Sequence, residues 1–599
     1  MQLSLGEYIF RRLRELGVRN IFGVPGDFNL NLLDWIDHVE GMKWVGTCNE
    51  LNAAYAADGY ARCRELPGVV ITTYGVGELS AINGIGGAYA ESVPIIHIVG
   101  MTARAAQKAR LMIHHTLGEG LDHAIYQSVS KPLSAATEFL WEEGSFTQQV
   151  DRVIEASFKT KLPVYLYIPI DTPDILIDGS RLDKPLDLTI SNPGRESEEQ
   201  EVVDQIISAI EKAEKPCFLV DLYTQRFGVT KDLREIVEST QIPAFTTPLG
   251  KSAIDETSAN FGGTYIGAFT HLPSVREAIE GADLVIHVGT FPADSNSGGF
   301  SQNLASKGTL AKLHAHYVSL GDKKWEGLNF APVVKKLRQR LQSQKLTVKN
   351  PTWFKHDAEQ LRKLPQGLSG PLKQKYLWQC FNTFLKPDDF VIGEVGTSQF
   401  GTAAILSLPK NGGYYTQIFY SCIGFTVGAT LGTLVARREL GHTGRTILFV
   451  GDGSLQMTVQ DISTMIRNGF APTIVILNND GYTVERVIHG PARGYNDIAR
   501  WDYSSLLKFF GASKESKHHL AKTYEELLSV LSDSEFQASK HPQVLEVVLD
   551  KYDSPQAMSN LVDTVLGKGK AAMQQDDQKN NRSRKVLDGT LTESGLSTA

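Results

Sequence analysis

The sequence predicts an α/β protein of three domains, each a mainly parallel sheet flanked by helices. Two observations carry this. Short apolar runs alternate with helical patterns almost throughout the 599 residues, as βαβ units do. The first and third regions also look like two versions of one plan, separated by polar stretches. At roughly 150 residues per domain, the length allows three or four domains.

The elements follow in chain order. "MQLSLGEYIFRRLREL" spaces Leu5, Ile9, Leu13 and Leu16 at helical intervals among charges of both signs. It predicts an amphipathic first helix and not a signal peptide. "RNIFGVPG", "KWVGTCNE", "GVVITTYG" and "PIIHIVG" read as strands, with helical stretches such as "LNAAYAADGYAR" between them. This first domain spans 1–186. The polar segment 187–200, "DLTISNPGRESEEQ", reads as a linker into a middle domain, 187–350. Its strands lie in "KPCFLVD", "IPAFTTP" and "ADLVIHVG". A second polar stretch, 336–355, leads out of it. The third domain, 351–566, has strands in "DDFVIGEVG", "RTILFVGDG" and "PTIVILNND". Residues 567–599 have few apolar side chains and no period, which predicts a disordered tail.

Composition excludes several classes. At 42% hydrophobic and 21% charged the chain is ordinary for a globular protein. A net charge of -7 gives no electrostatic case for nucleic acid or an anionic membrane. Cys48, Cys63, Cys217, Cys380 and Cys422 are odd in number and lack CxxC spacing. That argues against a disulfide framework or a zinc site and for a reducing, cytoplasmic setting. No apolar run approaches the roughly 20 residues that span a bilayer.

The most informative stretch is "RTILFVGDGSLQMTVQDISTMIRNGFAPTIVILNNDGYT". "TILFV" is a buried strand ending at Gly451-Asp452-Gly453, and Ser454 is placed to begin a helix. Leu455, Val459, Ile462 and Ile466 give that helix one apolar face, Gly469 stops it and Pro472 prevents its continuation. "TIVIL" then ends at Asn478-Asn479-Asp480-Gly481. Asp452 and Asn479 therefore lie just past the carboxyl ends of two strands joined by one crossover helix, where parallel sheets bind ligands. A carboxylate, an amide oxygen and a backbone carbonyl are hard donors, suited to Mg²⁺ or Ca²⁺ rather than zinc. The helix start favours the negative charge of a phosphate. Either turn alone reads as structural, but their joint placement about one βαβ unit points to a site.

Together with "IFGVPGDFN", "CNELNAAYAADGYAR", "HHTLG" and "NNDGYTVERVIHG", these motifs resemble the thiamine diphosphate-dependent 2-oxo acid decarboxylases, over about residues 1 to 565. The nearest branch is that of the pyruvate, indolepyruvate and phenylpyruvate decarboxylases. The resemblance implies non-oxidative release of an aldehyde and CO₂ from a 2-oxo acid, with thiamine diphosphate and Mg²⁺ as cofactors. It implies an obligate homodimer or a homotetramer, with the site between subunits, Glu50 of one chain facing Asp452 and Asn479 of the other. Glu50 would hydrogen-bond the pyrimidine ring nitrogen and promote the imino tautomer. Asp452, Asn479 and the Gly481 carbonyl would hold the metal, with Gly453 and Ser454 beside the cofactor. Thr397 matches a hydroxyl near the phosphates, Ile423 in "SCIGF" matches the large apolar residue that supports the folded cofactor, and Ser421 in the same stretch is expected to bind the cofactor. Asp27, His114, His115 and Glu485 match the family's acid–base group. Adjacent histidines are expected to diverge, because neighbours on a helix or strand point apart.

Some positions depart from the pyruvate-specific pattern. Ser295 stands where those enzymes carry phenylalanine, Gln399 where they usually have alanine, and Val395 replaces a threonine. A pocket that admits larger aromatic or branched acids is the expectation. Tyr223, in "LVDLYTQR", stands where some relatives have an activating cysteine. Three alternatives remain: a thiamine diphosphate-dependent carboligase, against which the histidine pair argues; a nucleotide-binding oxidoreductase, for which no GxGxxG follows a strand; and a non-catalytic assembly homologue.

Overall fold

Every apolar run read above as a strand forms one. The computed structural model describes residues 2–306, 308–344 and 346–559, so the tail expected over 567–599 lies outside the described residues. Strands Asn20–Gly23 (β1), Lys43–Gly46 (β2), Gly68–Thr73 (β3), Ile95–Met101 (β4), Ala136–Phe139 (β5) and Val164–Pro169 (β6) form one parallel sheet. Their spatial order is β2-β1-β3-β4-β6-β5. The middle sheet contains Pro216–Val220 (β7), Ala244–Thr246 (β8), Phe261–Thr264 (β9), Leu284–Val288 (β10), Thr309–His314 (β11), Tyr317–Leu320 (β12) and Lys323–Glu326 (β13). Its order is β9-β8-β7-β10-β11-β12-β13, parallel as far as β11 and antiparallel beyond.

The last sheet contains Phe390–Gly393 (β14), Gly413–Thr416 (β15), Thr446–Gly451 (β16), Thr473–Asn478 (β17), Lys517–Ala521 (β18) and Gln543–Val548 (β19). It is parallel, in the order β15-β14-β16-β17-β19-β18. The first and last sheets thus share one winding. Their central strands are buried on both faces, which is why they read as unbroken apolar runs and not as alternating ones.

The first helix, Leu5–Leu16, is capped by the Ser4 hydroxyl, which accepts from the Glu7 N–H, and ends on left-handed Gly17. Leu5, Ile9 and Leu13 are fully buried. Three expectations need correction. The linker is shorter than 187–200, because helix Glu196–Lys212 begins inside it, with Glu196, Glu198 and Glu199 in its first turn. Those carboxylates favour a helix start, and their polarity mimicked a linker. Likewise helix Phe330–Ser343 takes the first part of the polar stretch at 336–355, its charged residues covering the outer face. The crossover helix is two helices, Asp452–Thr458 and Asp461–Arg467, and starts at Asp452 rather than Ser454. The break has a tertiary cause: the Thr458 carbonyl accepts from Asn52 Nδ2 (3.2 Å), and Asp461 Oδ1 accepts from the Cys48 N–H (3.2 Å).

The outer sheets meet through helices Glu50–Arg64 and Phe425–Glu439. They cross so closely that a Cβ on Gly59 would lie 2.1 Å from the Ala429 carbonyl oxygen, and one on Gly432 1.8 Å from that of Ala56. Buried Arg62 bridges Asp58 (2.5 Å) and Glu91 (2.8 Å), satisfying charges that burial would otherwise leave unpaired. The buried pair Lys251–Glu256 (2.7 Å) joins the middle region to the last, Lys251 donating to the Leu406 carbonyl and Glu256 accepting from the Leu408 N–H.

Candidate active site

At the carboxyl end of β16, Asp452 is 2% exposed. Its Oδ1 accepts from the Gly453 N–H (2.8 Å) and its Oδ2 from the Gly481 N–H (3.1 Å). Burial pushes this carboxyl up to about 6, while the surrounding N–H groups act in the opposite direction. One end of the Asn479 amide lies 3.0 Å from Asp452 Oδ1 and 2.9 Å from the Gly481 carbonyl oxygen, and the other end 2.9 Å from Thr483 Oγ1. With its nitrogen toward Asp452 and Gly481 the amide donates to both oxygens. Turned the other way, its oxygen joins a carboxylate and a carbonyl in a set of hard donors of the kind that suits a divalent cation. The residue types present therefore fit the metal expected from the sequence, and Thr483 lies where it can orient the amide.

This cluster lines a cavity of about 300 Å³, at the small end of the range for ligand pockets. Thr397, Ser421, Ile423, Gly453 and Ser454 also line it. Buried Glu394, at the end of β14, ties two of the contributing segments together. It accepts from the Val395 N–H (2.9 Å) and from Thr426 Oγ1 (2.6 Å), and burial pushes its carboxyl up to about 7.

Ser295, Gln399 and Val395 form further wall, and Glu485, on the predicted helix (Thr483–Ile488), reaches the same cavity. The Ser295 hydroxyl is buried and has no partner among the described residues. Its loop is fixed from the middle sheet, where buried Asp221 accepts from Asn296 Nδ2 (2.8 Å), from the Phe291 N–H (2.8 Å) and from His287 Nε2 (3.0 Å). Tyr223 packs nearby against Phe227, Phe291 and His314. Sequence reasoning missed Ile266, Phe269 and Phe400, which supply apolar wall. Ile266 and Phe269 follow β9 in the Gly-rich "GGTYIGAF", a strand-end position that could have flagged them.

The remaining expected residues lie at the carboxyl end of the first sheet, and none of them lines this cavity. Glu50 opens helix Glu50–Arg64, next to capping Asn49. Its Oε1 would be 3.3 Å from a Cβ on Gly77, and its carboxyl has no hydrogen-bond partner among the described residues. His114 Nε2 lies 2.5 Å from Asp27 Oδ2. The two histidines do not diverge as expected: their ring centroids are 4.8 Å apart and nearly perpendicular, at 82°. The rule for helices and strands fails because His115 has φ +71° in an irregular turn. Asp27, His114 and His115 offer ligand atoms all within 4.8 Å of one another.

A doubly repeated parallel sheet, one copy carrying a cavity with oxygen donors in its wall and the other an Asp–His–His cluster, is the architecture expected of a thiamine diphosphate-dependent enzyme. Models of the thiamine pyrophosphate enzyme match the chain three times: the N-terminal TPP binding domain at residues 3–125, the central domain at 203–342 and the C-terminal TPP binding domain at 394–547. The chain belongs to this family, among its 2-oxo acid decarboxylases. It is 41% identical over 564 residues to pyruvate decarboxylase isozyme 3 of Saccharomyces cerevisiae, covering 93% of this chain and 97% of that one. It is 41% identical over 561 residues to the pyruvate decarboxylase of Candida glabrata, with the same coverage of 93% and 97%. The Aspergillus fumigatus pyruvate decarboxylase is 38% identical over 570 residues, 95% of this chain and 98% of that one. An X-ray structure described as that of a thiamin diphosphate-dependent enzyme from Mycobacterium smegmatis superposes with a TM-score of 0.69, covering 92% of this chain and 99% of that one. At 19% identity it shows the fold alone.

Proposed function

We propose that the chain converts a 2-oxo acid to an aldehyde and CO₂, with pyruvate the first substrate and aromatic or branched 2-oxo acids accepted as well. The observation that carries this reading is the Asp27–His114–His115 cluster, an acid–base group suited to delivering a proton after CO₂ has left. Thiamine diphosphate supplies the electron sink that no side chain offers. Asp452, Asn479 and the Gly481 carbonyl hold Mg²⁺, and Thr397, Gly453 and Ser454 receive the diphosphate. Ser421 and Ile423 support the rest of the cofactor. Glu50 holds a proton at the pyrimidine ring nitrogen. Asp27, His114, His115 and Glu485 move protons at the substrate oxygen and carbon. Ser295 and Gln399 select the side chain.

The active unit in this reading is a homodimer, assembling further to a homotetramer, in the cytoplasm. Two observations support the dimer. The acid–base group and the cavity are separate in one chain, so each needs the other half from a second copy. Apolar side chains beside the acid–base group are exposed, Met112 at 71% and Val76 at 53%, and a second copy would cover them. Among the described residues no helix is long and apolar enough to cross a membrane.

The test is aldehyde release from pyruvate and phenylpyruvate, with and without thiamine diphosphate and Mg²⁺. Turnover that needs both additions, with both acids used, is expected. No aldehyde from either acid despite tight cofactor binding would replace this reading with a carboligase or a non-catalytic homologue. Essentially exclusive use of pyruvate would overturn the assignment of Ser295 and Gln399.

A further inference from the structure

We propose that His123 and Tyr126 are positioning residues, a two-point clamp that aims the histidine pair. The proposal rests on the decarboxylase reading above. Within one chain the pair sits on a segment that packing does little to fix, before a second copy covers it: Leu111, Met112 and Leu117 are 50%, 71% and 59% exposed. His115 also has left-handed backbone, at φ +71°. A side-chain-bearing residue keeps that strained conformation only where its surroundings impose it.

The surroundings that impose it come from one short turn, His123–Tyr126, itself capped by Asp122, whose Oδ1 accepts from the Ala124 N–H at 2.9 Å. Tyr126 donates its hydroxyl to the His115 carbonyl at 2.7 Å. His123 Nε2 lies 2.9 Å from the Leu111 carbonyl. A carbonyl only accepts, so Nε2 carries the proton, and Nδ1 accepts from Thr102 Oγ1 at 2.7 Å. The clamp therefore grips the backbone at both ends of the five-residue segment Leu111–His115.

The neighbouring aromatic side chains reinforce it. Tyr126 meets Tyr74 edge-on at 5.2 Å, Tyr74 stacks on His123 at 6.1 Å, and Phe28 bridges Tyr74 (6.0 Å) to His114 (4.9 Å). Gly75 leaves the necessary space. A Cβ there would lie 2.8 Å from the Tyr126 ring and 2.9 Å from the His115 carbonyl oxygen, and its φ of +65° disfavours a side chain in any case. His123 and Tyr126 are 1% and 5% exposed. They act on the imidazoles through the backbone and do not touch the reacting atoms.

Product partition tests this directly. The carbon that loses CO₂ needs a proton before the aldehyde can leave. If the proton arrives late, that carbon bonds to the carbonyl carbon of a second aldehyde, whose oxygen takes the proton, and a hydroxyketone is released. The ratio of hydroxyketone to aldehyde from pyruvate is to be measured on the holoenzyme for wild type, Tyr126→Phe and His123→Phe. Tyr126→Phe removes only a hydroxyl. Its expected effect is a rise of about three- to ten-fold in that ratio and a similar fall in kcat, the scale of one lost hydrogen bond. Pyruvate KM and the melting temperature are expected to stay at wild-type values. An unchanged ratio in Tyr126→Phe overturns the clamp, whatever happens to kcat. With aldehyde added at one fixed concentration to every assay, the ratio is independent of how much enzyme is folded, so Tyr126→Phe decides even if His123→Phe folds poorly. No aldehyde from the wild type would overturn the decarboxylase reading itself, and the clamp with it.

Discussion

In the first sheet, the segments after β1, β2 and β4 carry Asp27, Glu50 and the histidine pair. In the last sheet, those after β14, β15, β16 and β17 carry Thr397, Ser421, Asp452 and Asn479. The strand order is the same in both. The ligand-holding half uses short turns at strand ends, where backbone N–H groups and carbonyls are already fixed. The acid–base half places its imidazoles on a long irregular segment, which needs separate pins. In the proposed reading one scaffold has two kinds of edge: short strand-end turns that hold oxygen ligands, and a longer segment, pinned at both ends, for groups that gain and lose protons.

Variants at the two edges should fail in different ways. Asp452→Ala is expected to lose cofactor affinity and with it at least about a thousand-fold of activity, because the proposed cation site loses the carboxylate from its donor set. Titrating thiamine diphosphate and Mg²⁺ against intrinsic fluorescence would check this. Full affinity in the variant would break the division of labour. Glu50→Gln is expected to bind the cofactor within a few-fold of wild type yet lose about 10²–10⁴-fold in kcat, the range for a placed acid or base. The same titration, run beside steady-state kinetics, separates the two cases.

Smaller effects sharpen the comparison. Ser295→Phe is expected to shift the kcat/KM ratio of phenylpyruvate to pyruvate about ten- to a hundred-fold toward pyruvate, the range for modest changes in an apolar pocket. A ratio that does not move would remove Ser295 from the substrate wall. Glu394 predicts a slope of stability with pH. Its carboxyl is raised from 4.5 to about 7, so between those values the folded state holds a proton that the unfolded chain has released. That stabilisation is complete below the unfolded value and is lost as pH rises through the folded one. Denaturation midpoints taken at about pH 5 and about pH 8 should therefore fall less in Glu394→Gln than in wild type. Equal slopes would show that Glu394 is not protonated in the fold.

Much of this was legible in the sequence because parallel strands buried on both faces read as unbroken apolar runs. The Gly451–Asp452–Gly453 and Asn478–Gly481 turns were legible for the same reason, since each follows such a run. The break between helices Asp452–Thr458 and Asp461–Arg467 was not. Leu455 and Ile462 are buried in one core, with Val459 and Ile466 packed against it, so the apolar period runs straight through. What interrupts the helix is Asn52, some 400 residues away in sequence, and local spacing holds no record of it. His123 and Tyr126 were missed for a similar reason: a hydroxyl or imidazole bonded to a backbone carbonyl leaves no pattern. The approach of His114 to His115 was misread because the rule used assumes regular structure, and His115 lies outside it.

In the proposed assembly each complete site takes its acid–base edge from one chain and its ligand-holding edge from another. Co-expressing Glu50→Gln and Asp452→Ala chains tests it most directly. Each variant alone is expected to be inactive. In a mixed dimer one site receives both lesions and the other neither, so random assortment should restore about a quarter of wild-type activity. No recovery in mixed dimers that are shown to form would mean that each chain builds its own site, and would contradict the claim.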